Sequence, residues 1–174
     1  MSSQKVLNIP RTIKDPGPFD FMQVSLDYNY RTIVGSDRNQ VGNSIRVLSA
    51  ASSHGRKDAS VFLMGLLVSL PIDDWEMRTE VARALEYTKT KECADLLFSE
   101  IRRVGSSNKT RTYLTTVINV LANFPEVIKQ PGFRALAADK GFTHKMRKKF
   151  SVLAGDEEEE SCRLWMLDDE FMDL

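Results

Sequence analysis

The residues of this chain that could take part in binding or catalysis are its charged side chains. Acidic and basic residues are distributed unevenly along the chain. The chain has 174 residues with 24 Lys/Arg and 24 Asp/Glu, so its formal net charge is zero. Residues 156–174 contain nine carboxylates and one cation, Arg163, a net charge of −8, which leaves residues 1–155 with +8. Charge of one sign attracts partners of the other. The basic part therefore predicts a polyanion or an acidic protein as partner, and the acidic part predicts a basic groove.

The acidic tail, residues 156–174, also carries large apolar side chains. At helical spacing Leu164, Leu167, Phe171 and Leu174 fall on one stripe. Alternating acidic and bulky residues resemble acidic activation-type motifs, which fold as a helix in a groove of a partner protein. Two interpretations stay open: the tail binds a partner, or it packs on the last helices of its own chain. The predicted partner-binding residues are Leu164, Trp165, Leu167, Phe171, Met172 and Leu174.

The basic residues cluster in the second half of residues 1–155. Arg78, Arg111 and Arg147 are 33 and 36 residues apart, and apolar residues recur three, six and seven positions after each. Arginines stacked on successive helices would follow a phosphate backbone, each contact releasing counterions. The alternatives are that these cations lie on the solvated outer face of the helices, some of them complementing the helix dipole, or that the three arginines each bond to the Asp of a neighbouring turn. The candidate polyanion-binding residues are Arg78, Arg102, Arg103, Lys109, Arg111, Lys145, Arg147, Lys148 and Lys149.

Residue types that catalyse reactions or hold metals are sparse. His54 and His144 are distant in sequence from Cys93 and Cys162, and neither a CxxC nor an HExxH pattern occurs. The nine glycines are scattered singly, so no glycine-rich phosphate loop is predicted. Four glutamates shortly before Cys162 disfavour its thiolate. The sequence therefore predicts no catalytic residue, no metal and no cofactor, and a protein that is not an enzyme.

The elements that position these groups are predicted to be short amphipathic helices separated by glycine and proline. Pro131 suits the first turn of one helix, and Asp73 or Asp74 is a suitable N-cap for another. The helices recur in pairs with a period in the mid-thirties, which is typical of an α-solenoid. The predicted helices span residues 59–70, 75–87, 92–104, 108–123, 131–139 and 143–154.

Residues 74–97 resemble a HEAT-like helical repeat. An Asp opens the turn, Arg78 lies early in the helix, Ala84 and Leu85 end its apolar stripe, and Ala94 and Leu97 begin the second helix. The resemblance implies an all-α fold, a short α-solenoid of about three HEAT-like helix pairs. Such repeats usually bind proteins, sometimes nucleic acids, and rarely catalyse.

The chain is thus expected to have three parts: a strap or short hairpin over residues 1–42, a helical-repeat domain over 43–155, and the acidic tail. An intracellular protein, cytoplasmic or nuclear, is expected because two cysteines form no disulfide framework and the N-terminus lacks a signal-like apolar stretch. No membrane partner is expected, since the longest apolar run, residues 61–70, is too short to span a bilayer.

The expected function is that of a non-enzymatic adaptor or regulator that binds another protein through its helical surface or its tail. The alternative is a nucleic-acid-binding protein, with a role in transcription, whose basic ridge contacts phosphates and is masked by the acidic tail.

Overall fold

The computed structural model describes residues 20–35 and 38–156. These residues form eight α-helices and two short 3₁₀ turns, Phe21–Gln23 and Leu85–Tyr87, and they contain no β-strand. The predicted all-α fold is confirmed. The helices are α1 Leu26–Val34, α2 Arg38–Ser53, α3 Lys57–Ser69, α4 Trp75–Ala84, α5 Lys91–Arg103, α6 Arg111–Ala122, α7 Glu126–Ala138 and α8 His144–Leu153.

Polar side chains directly before the helices determine where several of them begin. The Asp74 carboxylate accepts a hydrogen bond from the Met77 N–H at 3.2 Å, which makes Asp74 the N-cap of α4. Thr90 caps α5 and Thr143 caps α8 in the same way, each at 3.3 Å. Because each cap satisfies an N–H that has no partner within the helix, it stabilises the start that the sequence predicts.

Besides α2, which was not among the predicted helices, two segments differ from the pattern read in the sequence. The sequence allowed either a strap or a hairpin for residues 26–34, but these residues form α1. The Ser25 hydroxyl caps the first turn by accepting a hydrogen bond from the Tyr28 N–H at 3.1 Å. α7 begins at Glu126, directly after Pro125, rather than at Pro131. Pro131 lies inside α7 and leaves the carbonyl of Val127 without its helical donor. Since Val127 is 80% exposed, water can reach this side of the helix.

The helices pack so that one continuous core runs through the described residues. α2, α4 and α6 lie side by side, α5 contacts α6 and α7, and α8 packs mainly against α7. This arrangement is compatible with a helical repeat, since α4 and α6, which carry the repeated apolar stripe, are neighbours. No helix of the described ranges is both long and apolar enough to cross a membrane. Fully buried side chains come from seven helices, α2 to α8, and include Leu48, Leu67, Val81, Leu97, Leu121, Phe133 and Phe150.

A glycine allows α7 to approach α5 closely. A Cβ atom built on Gly132 would overlap the ring of Phe98. Phe98 packs edge-to-face on Phe133 with ring centroids 5.2 Å apart, and Phe133 stacks on Phe150 of α8 at 6.1 Å. This row of aromatic rings holds α7 and α8 as a helical hairpin on α5, and so positions the surface described next.

Candidate anion-binding site

A surface cavity of about 530 Å³ lies between α7 and α8. His144, Arg147, Lys148 and Ser151 line it from α8, and Ala137 lines it from α7. Residues three and four apart lie on the same face of a helix, so the α8 side chains form one row along the cavity. This row contains two permanent cations, an imidazole and a hydroxyl, and no carboxylate among the described residues lines the cavity. We call this surface the cationic groove.

Arg147 has an unsatisfied donor in the groove. Its Nε atom is buried and, like the Nε of Arg78, has no hydrogen-bond partner among the described residues. A buried N–H without an acceptor costs about 1–3 kcal/mol, and the cost is larger for a charged group. Carboxylate and phosphate both match the planar fork of a guanidinium, so an oxyanion in the groove would find a matching donor group in Arg147.

The electrostatics of α8 also favour an anion. Its first turn contains His144 and Lys145 and no acidic residue. The positive end of a helix dipole lies at the N-terminus, where cations are disfavoured and anions are stabilised. Lys148 and Lys149 follow one turn later. The first turn of α8 therefore places positive charge near the positive end of the helix dipole, and this combination favours an anion there.

Where the chain leaves α8, it contacts α7. Gly155, in a left-handed conformation with φ +78°, ends the helix, and its N–H donates to the Val152 carbonyl at 2.9 Å. The carboxylate of Asp156 then binds the Arg134 guanidinium, with Oδ1 2.8 Å from Nη2 and 2.9 Å from Nε. Arg134 and Ala137 are three residues apart and share one face of α7. The acidic tail thus begins on the α7 face that leads to the groove.

Arg78, by contrast, lies inside the protein. Its guanidinium donates to Glu100 Oε2 at 2.5 Å and to the Leu70 carbonyl at 3.0 Å. The same Glu100 oxygen accepts from the Tyr113 hydroxyl at 2.6 Å and from Arg103 Nη2 at 2.8 Å. Burial alone would raise the pKa of Glu100, but the bonds from Arg103, Tyr113 and Arg78 outweigh it and hold that pKa below its ordinary value. Arg78 therefore joins α4 to α5 and to the end of α3.

The structure separates the predicted polyanion-binding residues into two regions. One region lies on α4, α5, the following loop and the start of α6, and it contains Arg78, Arg102, Arg103, Lys109 and Arg111. The other lies wholly on α8 and contains Lys145, Arg147, Lys148 and Lys149. α4 and α6 are neighbours, whereas α8 packs mainly on α7, so Arg147 is set apart from the other two arginines of the repeat.

The other predicted residues lie outside the described structure, and three residues of this region were not predicted as site residues. The tail residues Leu164, Trp165, Leu167, Phe171, Met172 and Leu174 lie outside the described residues. The sequence reading assigned His144 to a plain surface and did not include Ser151 or Arg134. The spacing of His144, Lys148 and Ser151 is visible in the sequence, but the contribution of α7 depends on how the two helices pair.

Reactive and metal-binding groups are few in the described part of the chain. Burial raises the pKa of the Cys93 thiol to about 12, so it stays protonated at neutral pH. No cluster of three or more His, Cys, Asp or Glu residues within residues 20–35 and 38–156 could hold a metal ion.

Comparisons with protein-family models, curated proteins and solved structures give no match for this chain. Its class therefore follows from its own structure, which is all-helical and compatible with a helical repeat.

Proposed function

We propose that this protein is a non-enzymatic adaptor or regulator, a short HEAT-like α-solenoid that binds an acidic segment of another protein in the cationic groove. The observation that carries this proposal is the composition of the groove: Arg147, Lys148 and His144 line it, and no carboxylate of the described residues does. A carboxylate ligand would make charge-assisted hydrogen bonds to the cations that line the groove, each contributing about 1.5–3 kcal/mol.

The dimensions of the groove suit a peptide. From His144 to Ser151 α8 rises about 10 Å, which equals the length of about three residues of an extended chain. Two or three consecutive acidic residues of a bound peptide would therefore lie opposite the row of cations on α8. Ala137 provides a small apolar contact on the opposite wall. In this proposal the acidic tail recruits a second protein, with Trp165, Leu167 and Phe171 contributing most of the binding energy because large buried side chains dominate interfaces.

Nucleic-acid binding is the second candidate. It is favoured by the dense run of Lys145, Arg147, Lys148 and Lys149 on α8. Contacts to phosphates would make binding strongly dependent on salt and nearly independent of base sequence. A peptide held by a few carboxylates would show a shallower salt dependence.

Fluorescence anisotropy of the full-length chain with two labelled probes, an octaglutamate peptide and a mixed-sequence DNA duplex, tests the proposal. We expect Arg147→Gln combined with Lys148→Gln to weaken peptide binding by about tenfold to a hundredfold, which is about 1.4–2.8 kcal/mol. Arg102→Gln, which removes an exposed cation of α5 outside the groove, is the matched control and should leave the affinity unchanged.

The outcomes separate the candidates. Equal effects of the groove variants and of Arg102→Gln would refute the groove as the peptide site. Tight binding of the duplex with a steep salt dependence, together with weak binding of the peptide, would favour the nucleic-acid function instead.

A further inference from the structure

The last residue of the described structure, Asp156, lies at one end of the cationic groove. Its backbone N–H donates a hydrogen bond to the carbonyl of Ser151 at 3.1 Å, and Ser151 lines the groove. The preceding N–H, that of Gly155, donates to the Val152 carbonyl at 2.9 Å. These two bonds form a Schellman turn, in which the left-handed Gly155 closes the chain back onto the last turn of α8. The chain after Asp156 therefore starts beside Ser151.

The side chain of Asp156 ties the same point of the chain to α7. Its carboxylate Oδ1 lies 2.8 Å from Arg134 Nη2, and Arg134 is three residues before Ala137, which forms the opposite wall of the groove. Both side chains of this ion pair are largely open to solvent, so the pair adds little stability. Its effect is on position, because Asp156 is held by its backbone to α8 and by its side chain to α7.

Four consecutive glutamates, Glu157–Glu160, follow directly after Asp156. Their mutual repulsion favours an extended chain, and four extended residues span at most about 13–14 Å. The row of groove residues from Ser151 to His144 is about 10 Å long, since each of the seven residues between these positions adds about 1.5 Å of helix. A run of four glutamates that starts beside Ser151 is therefore long enough to pass Lys148 and to reach His144.

We propose that Glu157–Glu160 occupy the cationic groove, antiparallel to α8, as a built-in competitor of the acidic partner segment. This inference rests on the proposed function, because it uses the same recognition of carboxylates by Arg147 and Lys148. The charges match, since cations line the groove and the run is wholly acidic. The tail then leaves the groove near His144, and residues 164–174 stay available to a second protein.

The short tether determines how strongly the run competes. A segment joined by a short flexible linker has an effective concentration in the millimolar range. A free acidic peptide that binds the empty groove with a dissociation constant of about 0.1 mM would therefore bind the intact chain about tenfold to a hundredfold more weakly. The competitor thus excludes weak acidic segments and admits a partner that makes further contacts outside the groove.

Binding of octaglutamate to full-length variants, measured by fluorescence anisotropy, tests the proposal. Replacing each residue of Glu157–Glu160 by Gln keeps the length of the tether and should strengthen binding by about tenfold to a hundredfold. The matched control replaces Asp168, Asp169 and Asp173 by Asn and Glu170 by Gln, which makes the same change in net charge. Its effect should be smaller by about threefold or more, because effective concentration falls roughly as the −3/2 power of the tether length.

The native Cys162 reports where the tail runs. If Glu157–Glu160 lie along the groove, Cys162 follows close to the far end of the row, where His144→Cys introduces a second thiol. Oxidised glutathione should then produce an intramolecular disulfide between the two positions, detected by mass spectrometry. Cys93 does not compete for Cys162, because it is fully buried.

Val127→Cys is the matched control for this disulfide. Val127 is seven residues from Arg134, just as His144 is seven residues from Ser151, so both introduced thiols lie about 10 Å along a helix from the point that holds Asp156. Val127 is 80% exposed and lies outside the groove. We expect the disulfide of the His144→Cys variant to form at least about tenfold faster, and the four Glu→Gln substitutions at 157–160 to remove this difference.

The outcomes separate the competitor from the proposed function. If Arg147→Gln with Lys148→Gln weakens octaglutamate binding but the substitutions at 157–160 leave it unchanged, the groove keeps its function and the competitor is refuted. If octaglutamate binds no variant, the proposed function fails, and the disulfide rates alone decide whether the run occupies the groove. Equal effects of the two sets of charge removal, or equal rates of the two disulfides, would overturn the placement of Glu157–Glu160.

Discussion

Replacing Glu100 by Gln tests whether one buried carboxylate holds three helices together. Glu100 is 6% exposed and accepts hydrogen bonds from Arg78 at 2.5 Å, from Tyr113 at 2.6 Å and from Arg103 at 2.8 Å. Without the carboxylate, the Arg78 charge, 2% exposed, stays buried and loses its counterion. Breaking a buried ion pair in this way costs about 3–5 kcal/mol. We expect Glu100→Gln to lower the free energy of unfolding by this amount, a large part of the about 5–15 kcal/mol that a domain has.

Urea unfolding followed by circular dichroism at pH 7 measures this loss. With a denaturant slope of about 2 kcal/mol/M, the midpoint should fall by about 1.5–2.5 M. Tyr113→Phe removes one buried hydrogen bond and should cost about 1–3 kcal/mol. Arg103→Gln should cost less than about 1 kcal/mol, because the Arg103 side chain is 38% exposed. If Glu100→Gln costs no more than Asp95→Asn, an exposed carboxylate of the same helix, the reasoning is refuted.

The difference in stability between the wild type and Glu100→Gln should also depend on pH, in a direction that the pKa of Glu100 determines. The pKa of Glu100 in the folded protein is below its ordinary value. A carboxylate with a depressed pKa contributes its full stability above its unfolded pKa, about 4.3, and loses it as the pH falls through the folded pKa. The advantage of the wild type over Glu100→Gln should therefore be constant between pH 7 and about pH 5 and shrink below about pH 4. A difference that grows at acidic pH would contradict the assigned direction.

Three further predictions concern packing, thiol reactivity and capping. Gly132→Ala should lower the free energy of unfolding by about 1–3 kcal/mol, because the new Cβ would overlap Phe98; an increase in thermal stability would contradict this. In a Cys162→Ser background, Cys93 should react with a thiol reagent at pH 8 only on unfolding, because burial raises the pKa of its thiol to about 12. Rapid labelling of the native protein would contradict the burial of Cys93. Asp74→Ala should cost about 1 kcal/mol in urea unfolding by removing the cap of α4, and a change below about 0.3 kcal/mol would show that this cap is dispensable.

Most of the fold could be predicted from the sequence, because the apolar stripes and breakers of α3 to α8 follow helical spacing. α2 was harder to predict, because Ser49 and Ser52 interrupt its stripe. In the structure Ser49 donates a hydrogen bond to the Ala84 carbonyl at 3.0 Å, and Ser52 bonds with the Ser60 hydroxyl at 2.6 Å. These serines are satisfied across helix contacts, so they are compatible with a packed helix. A pattern of apolar residues cannot show such tertiary partners.

The candidate site could be predicted only in part. The run of cations on α8 is plain in the sequence, but the groove also needs Ala137 of α7 beside α8, and this depends on how the two helices pair. The burial of Arg78 could not be predicted either, because its partner Glu100 is 22 residues away in the sequence and no local pattern links the two residues. Burial of a charged group is decided by the partners that the fold supplies.

The different surroundings of Arg78 and Arg147 follow from their places in the array, and they lead to a last prediction. Arg78 belongs to an inner repeat and receives its acceptor from Glu100, 22 residues later. Arg147 belongs to the last helix of the described structure; its Nε lacks an acceptor there, as does that of Arg78, but no acidic residue of the described chain bonds to Arg147 as Glu100 bonds to Arg78. The residue 22 positions after Arg147 is Asp169, in the acidic tail. If the tail competes with an acidic partner for the cationic groove, Asp169→Asn in the full-length chain should strengthen binding of the octaglutamate probe by about threefold to tenfold. Asp173→Asn makes the same change in net charge and should have a smaller effect, so equal effects of the two variants would mean that the tail acts only through its overall charge.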